Sequence, residues 1–262
     1  MKIGVTGSLY LALMISTVFP LLIMLHMGAR KKLQFKLFAC GAGIYLVVQA
    51  GAVPFLLNGL KRYSFMNGGL PAMVITAALS TALDILSLVL LFRYLLKDNR
   101  SYKAAISIGF GRGFLESVCL AGIPFIADLS ILMAAENGTM SQMSTAGQES
   151  VQAAAAFLQR ISGREFLLSA VYEVSSMVMV SAMICLMLIY FKSWNMRKFM
   201  GTSAALTGIR LTGVLLGKQS FWLLLCYSLT VLMTSFLILY KIRRQVICFS
   251  KNRKKEKEVV NE

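Results

Sequence analysis

AAISIGFGRGFLESVCLAGIPFIADLSIL, residues 104–132, decides the fold class. A helix crosses the hydrocarbon core of a bilayer with about 20 predominantly apolar residues, and this stretch is long enough to do so. Yet it contains Arg112 and Glu116. A charge at bilayer depth costs about 2.5 kcal/mol or more even on lenient insertion scales, so such side chains turn toward a protein interior. Their spacing of four places them on one helix face, within ion-pairing reach of each other. Asp84 and Glu173 interrupt two other apolar stretches in the same way. These four residues make up the expected polar centre. They can be read as a structural ion pair that locks helices together or as the groups that carry the chemistry.

The rest of the chain agrees with a lipid-embedded class. It is 57% hydrophobic and 15% charged, with a mean hydropathy of +0.70. A soluble domain of 262 residues cannot bury that much apolar surface, so the sequence predicts an all-α polytopic membrane protein. The apolar runs are continuous and do not alternate with period two, which excludes a β-barrel pattern. The formal net charge of +16 is concentrated in loops and at the C-terminus. Anionic lipid head groups are therefore the simpler partner, and nucleic acid is not expected. Cys40, Cys119, Cys185, Cys226 and Cys248 are scattered without a CxxC, so neither a disulfide nor a metal cluster is predicted. A histidine-rich zinc site is excluded by counting, because His26 is the only histidine. No cofactor is expected.

Seven spans are predicted, near 5–27, 37–59, 70–95, 104–132, 167–191, 201–217 and 220–240. The sixth is short, carries Gly and Thr, and is interrupted by Arg210. Of the 27 Lys and Arg residues, 19 fall on the side shared by the loops around Arg30, Arg93 and Lys192 and by the C-terminal tail. Six fall on the opposite side, and Arg112 and Arg210 lie within spans. Such a bias predicts an N-terminus outside and a C-terminus in the cytoplasm. Dropping the sixth span would put the basic tail outside. Residues 1–249 read as one transmembrane domain. The polar segment 136–166 reads as an extracytoplasmic loop, whose Val151, Ala154, Ala155, Leu158 and Ile161 have helical spacing suited to a membrane-surface helix. Asn137-Gly138-Thr139 matches a glycosylation sequon, and residues 250–262 read as a charged, disordered tail. The first span is too long and too poor in basic residues for a signal peptide. These features fit a multi-pass protein of a cell membrane, such as a bacterial inner membrane.

Residues 91–123, LFRYLLKDNRSYKAAISIGFGRGFLESVCLAGI, resemble the YhfC family of intramembrane-protease-like proteins, relatives of the CAAX-prenyl-protease-like group. Arg100-Ser101-Tyr102 matches the family's basic loop, and Gly109-Phe110-Gly111-Arg112-Gly113-Phe114-Leu115-Glu116 matches its glycine-rich motif. Phe19-Pro20, Gln49 and Pro54 are similar in layout to the family's opening helices. The departures are equally specific. Asp84-Ile85 stands where the family has paired glutamates, Leu88 where it has arginine, and Arg112 at its first histidine. Glu173-Val174 replaces Glu-Arg, Ser181 falls near the next histidine, and no histidine occurs around Thr207–Arg210. What survives is Asp84, Glu116 and Glu173.

The resemblance implies a protease-like scaffold, and the departures imply that its catalysis has lapsed. Hydrolysis needs an activated water, a base and an oxyanion donor. Glu116 or Asp84 can serve as base and Arg112 as electrostatic helper, but Arg112 cannot shuttle protons as histidine does. The leading expectation is a binding protein for a transmembrane or lipid-bearing partner. Gly109, Gly111 and Gly113 would permit close helix approach, as they would in ordinary packing. The alternatives are an active peptidase with a rewritten carboxylate site, and a transporter component in which Asp84, Glu116 and Glu173 form a proton or cation path. The sequence leaves open whether Arg112 pairs with Glu116 or, across helices, with Asp84.

Overall fold

The computed structural model describes residues 4–30, 32–60, 69–97, 101–136, 145–217 and 220–260, and among them every regular element is helical. The elements are named here α1 (Val5–Ala29), α2 (Phe35–Leu60), α3 (Gly69–Leu90, continued by a π-helical turn over Leu91–Leu95) and α4 (Tyr102–Glu136). Then follow α5 (Thr145–Arg160), α6 (Gly163–Lys192), α7 (Met196–Gly217) and α8 (Phe221–Val260). The sequon and Arg100 lie outside the described residues.

Six helices, α1, α2, α3, α4, α6 and α8, are long and apolar enough to cross a bilayer. The stretch expected as the sixth span is helical as α7, but it is not among the six, and it carries Arg197, Lys198, Arg210 and several Gly and Thr residues. Three of the spanning helices loosen at a proline. Pro20, Pro54 and Pro124 each follow a π-helical turn, over Met14–Val18, Leu46–Ala52 and Val118–Gly122. Proline has no N–H to donate and its ring crowds the carbonyl four residues back, so the ladder widens just upstream.

Helix α6 is the axle of the bundle. Of its apolar window, 72% is buried, against 28% or less in the other five spanning helices. Its sequence explains this, because it is apolar all round and its small residues Ser175, Ser176, Ser181 and Ala182 admit neighbours closely. Around it Leu88, Phe92, Ile108, Ile184, Phe191 and Phe199 form the main core. A second core, including Leu9, Phe125, Leu132 and Phe166, joins α1 to the ends of α4 and α6.

Helix α5 forms where helical spacing predicted it. Ala155 and Leu158 are buried in the second core. Residues 250–260 continue α8. Lys, Arg and Glu are good helix formers, and extending an existing helix needs no new nucleus.

The glycine-rich motif turns out to be a packing device. A Cβ at Gly109 would come within 2.6 Å of Ser181 Cα, and one at Gly113 within 2.8 Å of the Met177 side chain, both on α6. A Cβ at Gly111 would collide with the Phe38 carbonyl of α2, and one at Gly41 of α2 with the Ile108 carbonyl of α4. Glycines two apart on a helix point to nearly opposite sides, so Gly109 and Gly113 admit α6 while Gly111 admits α2. Helix α4 is thereby clamped between two neighbours, and Arg112 is held at the clamp.

Candidate functional site: a buried ionic chain

Ser101 caps α4, its side chain accepting a hydrogen bond from the Ala104 N–H at 3.1 Å, and fixes where the helix begins. Eleven residues on, Arg112 is 1% exposed. It forms an ion pair with Asp84 of α3, its Nη2 donating to Asp84 Oδ2. Arg210 of α7 extends the pairing. Its Nη2 donates to Glu116 Oε2 at 2.5 Å, and its Nη1 lies 3.7 Å from Asp84 Oδ2. The charges therefore alternate along one chain, Arg112–Asp84–Arg210–Glu116, drawn from α3, α4 and α7.

Arg112 and Glu116 share a helix face as their spacing requires, but they do not pair with each other. Each finds its partner on a different helix, Arg112 on α3 and Glu116 on α7. Of the two pairings that the sequence left open, the cross-helix one with Asp84 is the one that forms. The cross-helix partners are in direct contact, Arg112 Nη2 with Asp84 Oδ2 and Arg210 Nη2 with Glu116 Oε2 at 2.5 Å. Arg210 is the residue that sequence reasoning missed as a member of the site. The signal was present, since a guanidinium within a predicted span needs a buried carboxylate as much as Arg112 does. On α7, Phe199, Ser203 and Leu206 are buried and share the helical spacing that leads to Arg210, so its face turns inward. Tyr227 of α8 donates to the Ile209 carbonyl and anchors that turn from outside. Thr207 donates to Thr81 at 2.7 Å, tying α7 to α3 one turn from Asp84.

Gln49 is the second missed member. It sits in the π-helical turn of α2 and donates to Ser80 Oγ at 2.6 Å and to Asp84 Oδ2 at 3.2 Å. The wide turn upstream of Pro54 brings the amide to α3.

Glu173 stands apart. It is 9% exposed on α6 and lies in the electrostatic range of Glu116 and Arg210. Among the described residues it has no ion pair or hydrogen bond. Tyr45 of α2 and Tyr172 of α6 lie in range of both Glu116 and Glu173. The four expected residues thus converge, with Arg210 as a fifth. Three carboxylates face two guanidiniums.

Asp84, Arg112 and Arg210 also line a cavity with about 10 Å³ of free volume, together with Thr81, Ser203 and Met187 among others. Asp84 Oδ1, Arg112 Nε and Arg210 Nε are buried and have no hydrogen-bond partner among the described residues. Each unmade buried hydrogen bond costs about 1–3 kcal/mol. Among the described residues no three His, Cys, Asp or Glu side chains group closely enough to hold a metal ion.

An all-helical membrane protein with an ionic chain set between α3, α4 and α7, buried except at its partly exposed Arg210, is the class that fold and site define. No protein family, curated protein or solved structure matches this chain.

Proposed function

We propose that the chain is a catalytically lapsed, seven-span protein on a YhfC-like scaffold, which binds a transmembrane or lipid-bearing partner without cleaving it. The observation that carries this reading is the occupancy of the carboxylates. Asp84 and Glu116 hold the positions that match the family's acidic motif, and each is engaged by a guanidinium. A carboxylate held in an ion pair is a poor general base, because proton uptake would break the pair. The position near the family's later histidine also supports loss of catalysis. Ser181 Cα packs against Gly109, and the Ser181 hydroxyl only donates to the Met177 carbonyl of its own helix at 3.0 Å, a group that cannot shuttle protons as an imidazole does. The cavity beside Asp84 is far too small for a peptide.

Seven crossings follow if α7 spans too. Its 22 residues rise about 33 Å, enough for the hydrocarbon core, and its two neighbours α6 and α8 are both apolar enough to span. With that parity, the basic bias of the loops and tail supports an N-terminus outside and a basic tail in the cytoplasm, as in a multi-pass protein of a bacterial inner membrane.

The test uses full-length protein in nanodiscs, titrated with a fluorescent farnesylated peptide and, separately, a labelled single-span helix. Saturable binding of one ligand, with no product after prolonged incubation, is the expected outcome. Cleavage that disappears in Glu116→Gln would overturn the reading in favour of a working peptidase.

One observation favours a second reading, a cation or proton path. The buried cluster carries one more carboxylate than guanidinium, and Glu173 is the unpaired one. Intramembrane acids of this kind mark ion pathways. On this reading Glu173→Gln folds normally and abolishes proton or Na⁺ flux in liposomes. Equal flux in wild type, Glu173→Gln and empty liposomes removes it.

A further inference from the structure

We infer that the cavity between α3, α4, α6 and α7 is a built site for a single water molecule, held by both arginines and Asp84. Its free volume of about 10 Å³ admits a guest the size of water. The three unpartnered buried atoms belong to residues that line it, two of them donors (Arg112 Nε and Arg210 Nε) and one an acceptor (Asp84 Oδ1). A water oxygen accepts from both Nε–H groups while one O–H donates to the carboxylate. The second O–H also has an acceptor at hand. Thr81 Oγ1 donates to the Ala77 carbonyl and accepts from Thr207, and Ser203 Oγ donates to the Phe199 carbonyl, so each hydroxyl retains a lone pair.

The charge pattern selects a neutral guest. A small cation would face two guanidiniums that stay protonated, and an anion would face the Asp84 carboxylate. Water alone satisfies the donors and the acceptor at this size. The site goes beyond the binding reading above and does not depend on it. It adds a hydrogen-bonded bridge between the two arginines, which are otherwise connected only through Asp84.

Met187 reports on the site. It lines the cavity and is 1% exposed, as is Met177 on the same helix, which does not line it. Submillisecond X-ray hydroxyl-radical labelling of the full chain in detergent, read by mass spectrometry, oxidises side chains next to embedded water even where bulk solvent does not reach. The expected result is oxidation of Met187 several-fold faster than Met177. Filling the cavity with Ser203→Val should lower Met187 to the Met177 rate while leaving other methionines unchanged. Equal rates for Met187 and Met177 in wild type would overturn the site. So would a Met187 rate in folded Ser203→Val that matches wild type. If Ser203→Val does not fold, Thr81→Val serves the same purpose from the α3 side.

Discussion

Replacing Arg112 with leucine is expected to destabilise the protein by about 3–5 kcal/mol, the usual cost of stranding one partner of a buried ion pair. Asp84 would lose the guanidinium that pairs with it and keep the neutral Gln49 amide at 3.2 Å and Arg210 at 3.7 Å, the latter already committed to Glu116 at 2.5 Å. Thermal unfolding in mild detergent measures the loss. The informative experiment is the double change. Arg112→Leu with Asp84→Asn should recover most of the stability, because the stranded charge is gone. Arg112→Leu with Glu116→Gln should recover none and lose further, since Glu116 belongs to Arg210. Rescue by Glu116→Gln and not by Asp84→Asn would mean that the i,i+4 pair, not the cross-helix pair, is the true one.

Gly111→Ala is expected to lose about 1–3 kcal/mol by overpacking, although alanine is the better helix former by about 1 kcal/mol. The new methyl group would fall on the Phe38 carbonyl of α2, and a backbone atom cannot rotate away as a side chain does. Helices α2 and α4 would have to separate. That movement strains the hydrogen bond from the Gln34 N–H to Ser107 Oγ at 2.9 Å. Gly201→Ala is the control. A Cβ there meets nothing within 4 Å, so the propensity gain stands alone and the variant should be neutral or slightly more stable. Equal thermal shifts for Gly111→Ala and Gly201→Ala would show that α2 and α4 do not approach so closely.

The two experiments probe one design. Glycines bring α4 against α2 and α6, and that closeness excludes lipid from the polar centre. Exclusion in turn makes each charge expensive to leave unpaired. An ionic chain of four, with Gln49 reaching Asp84 from the π-helical turn of α2, answers that demand for every charge except Glu173. Its isolation in the same cluster is why the cation-path reading rests on it and not on Asp84 or Glu116.

Helix existence and position were decided by the residues themselves. A run such as 104–132 must form helix to satisfy its backbone in lipid, whatever its neighbours do. The inward orientation of Asp84, Arg112, Glu116 and Glu173 follows from the same solvent, because a charge facing hydrocarbon is too costly. Partnership was decided only by tertiary structure. Arg112 had two carboxylates in reach on paper, and its choice of Asp84 depends on how α3 lies against α4. Arg210 looked like a flaw in a weak span until α7 packed beside α3 and brought it to Glu116. The glycine motif, legible as permission for close approach, acquired its two directions only when α2 and α6 closed on opposite sides of it. Spacing along one helix sets which residues share a face, whereas the charge that meets that face comes from another helix.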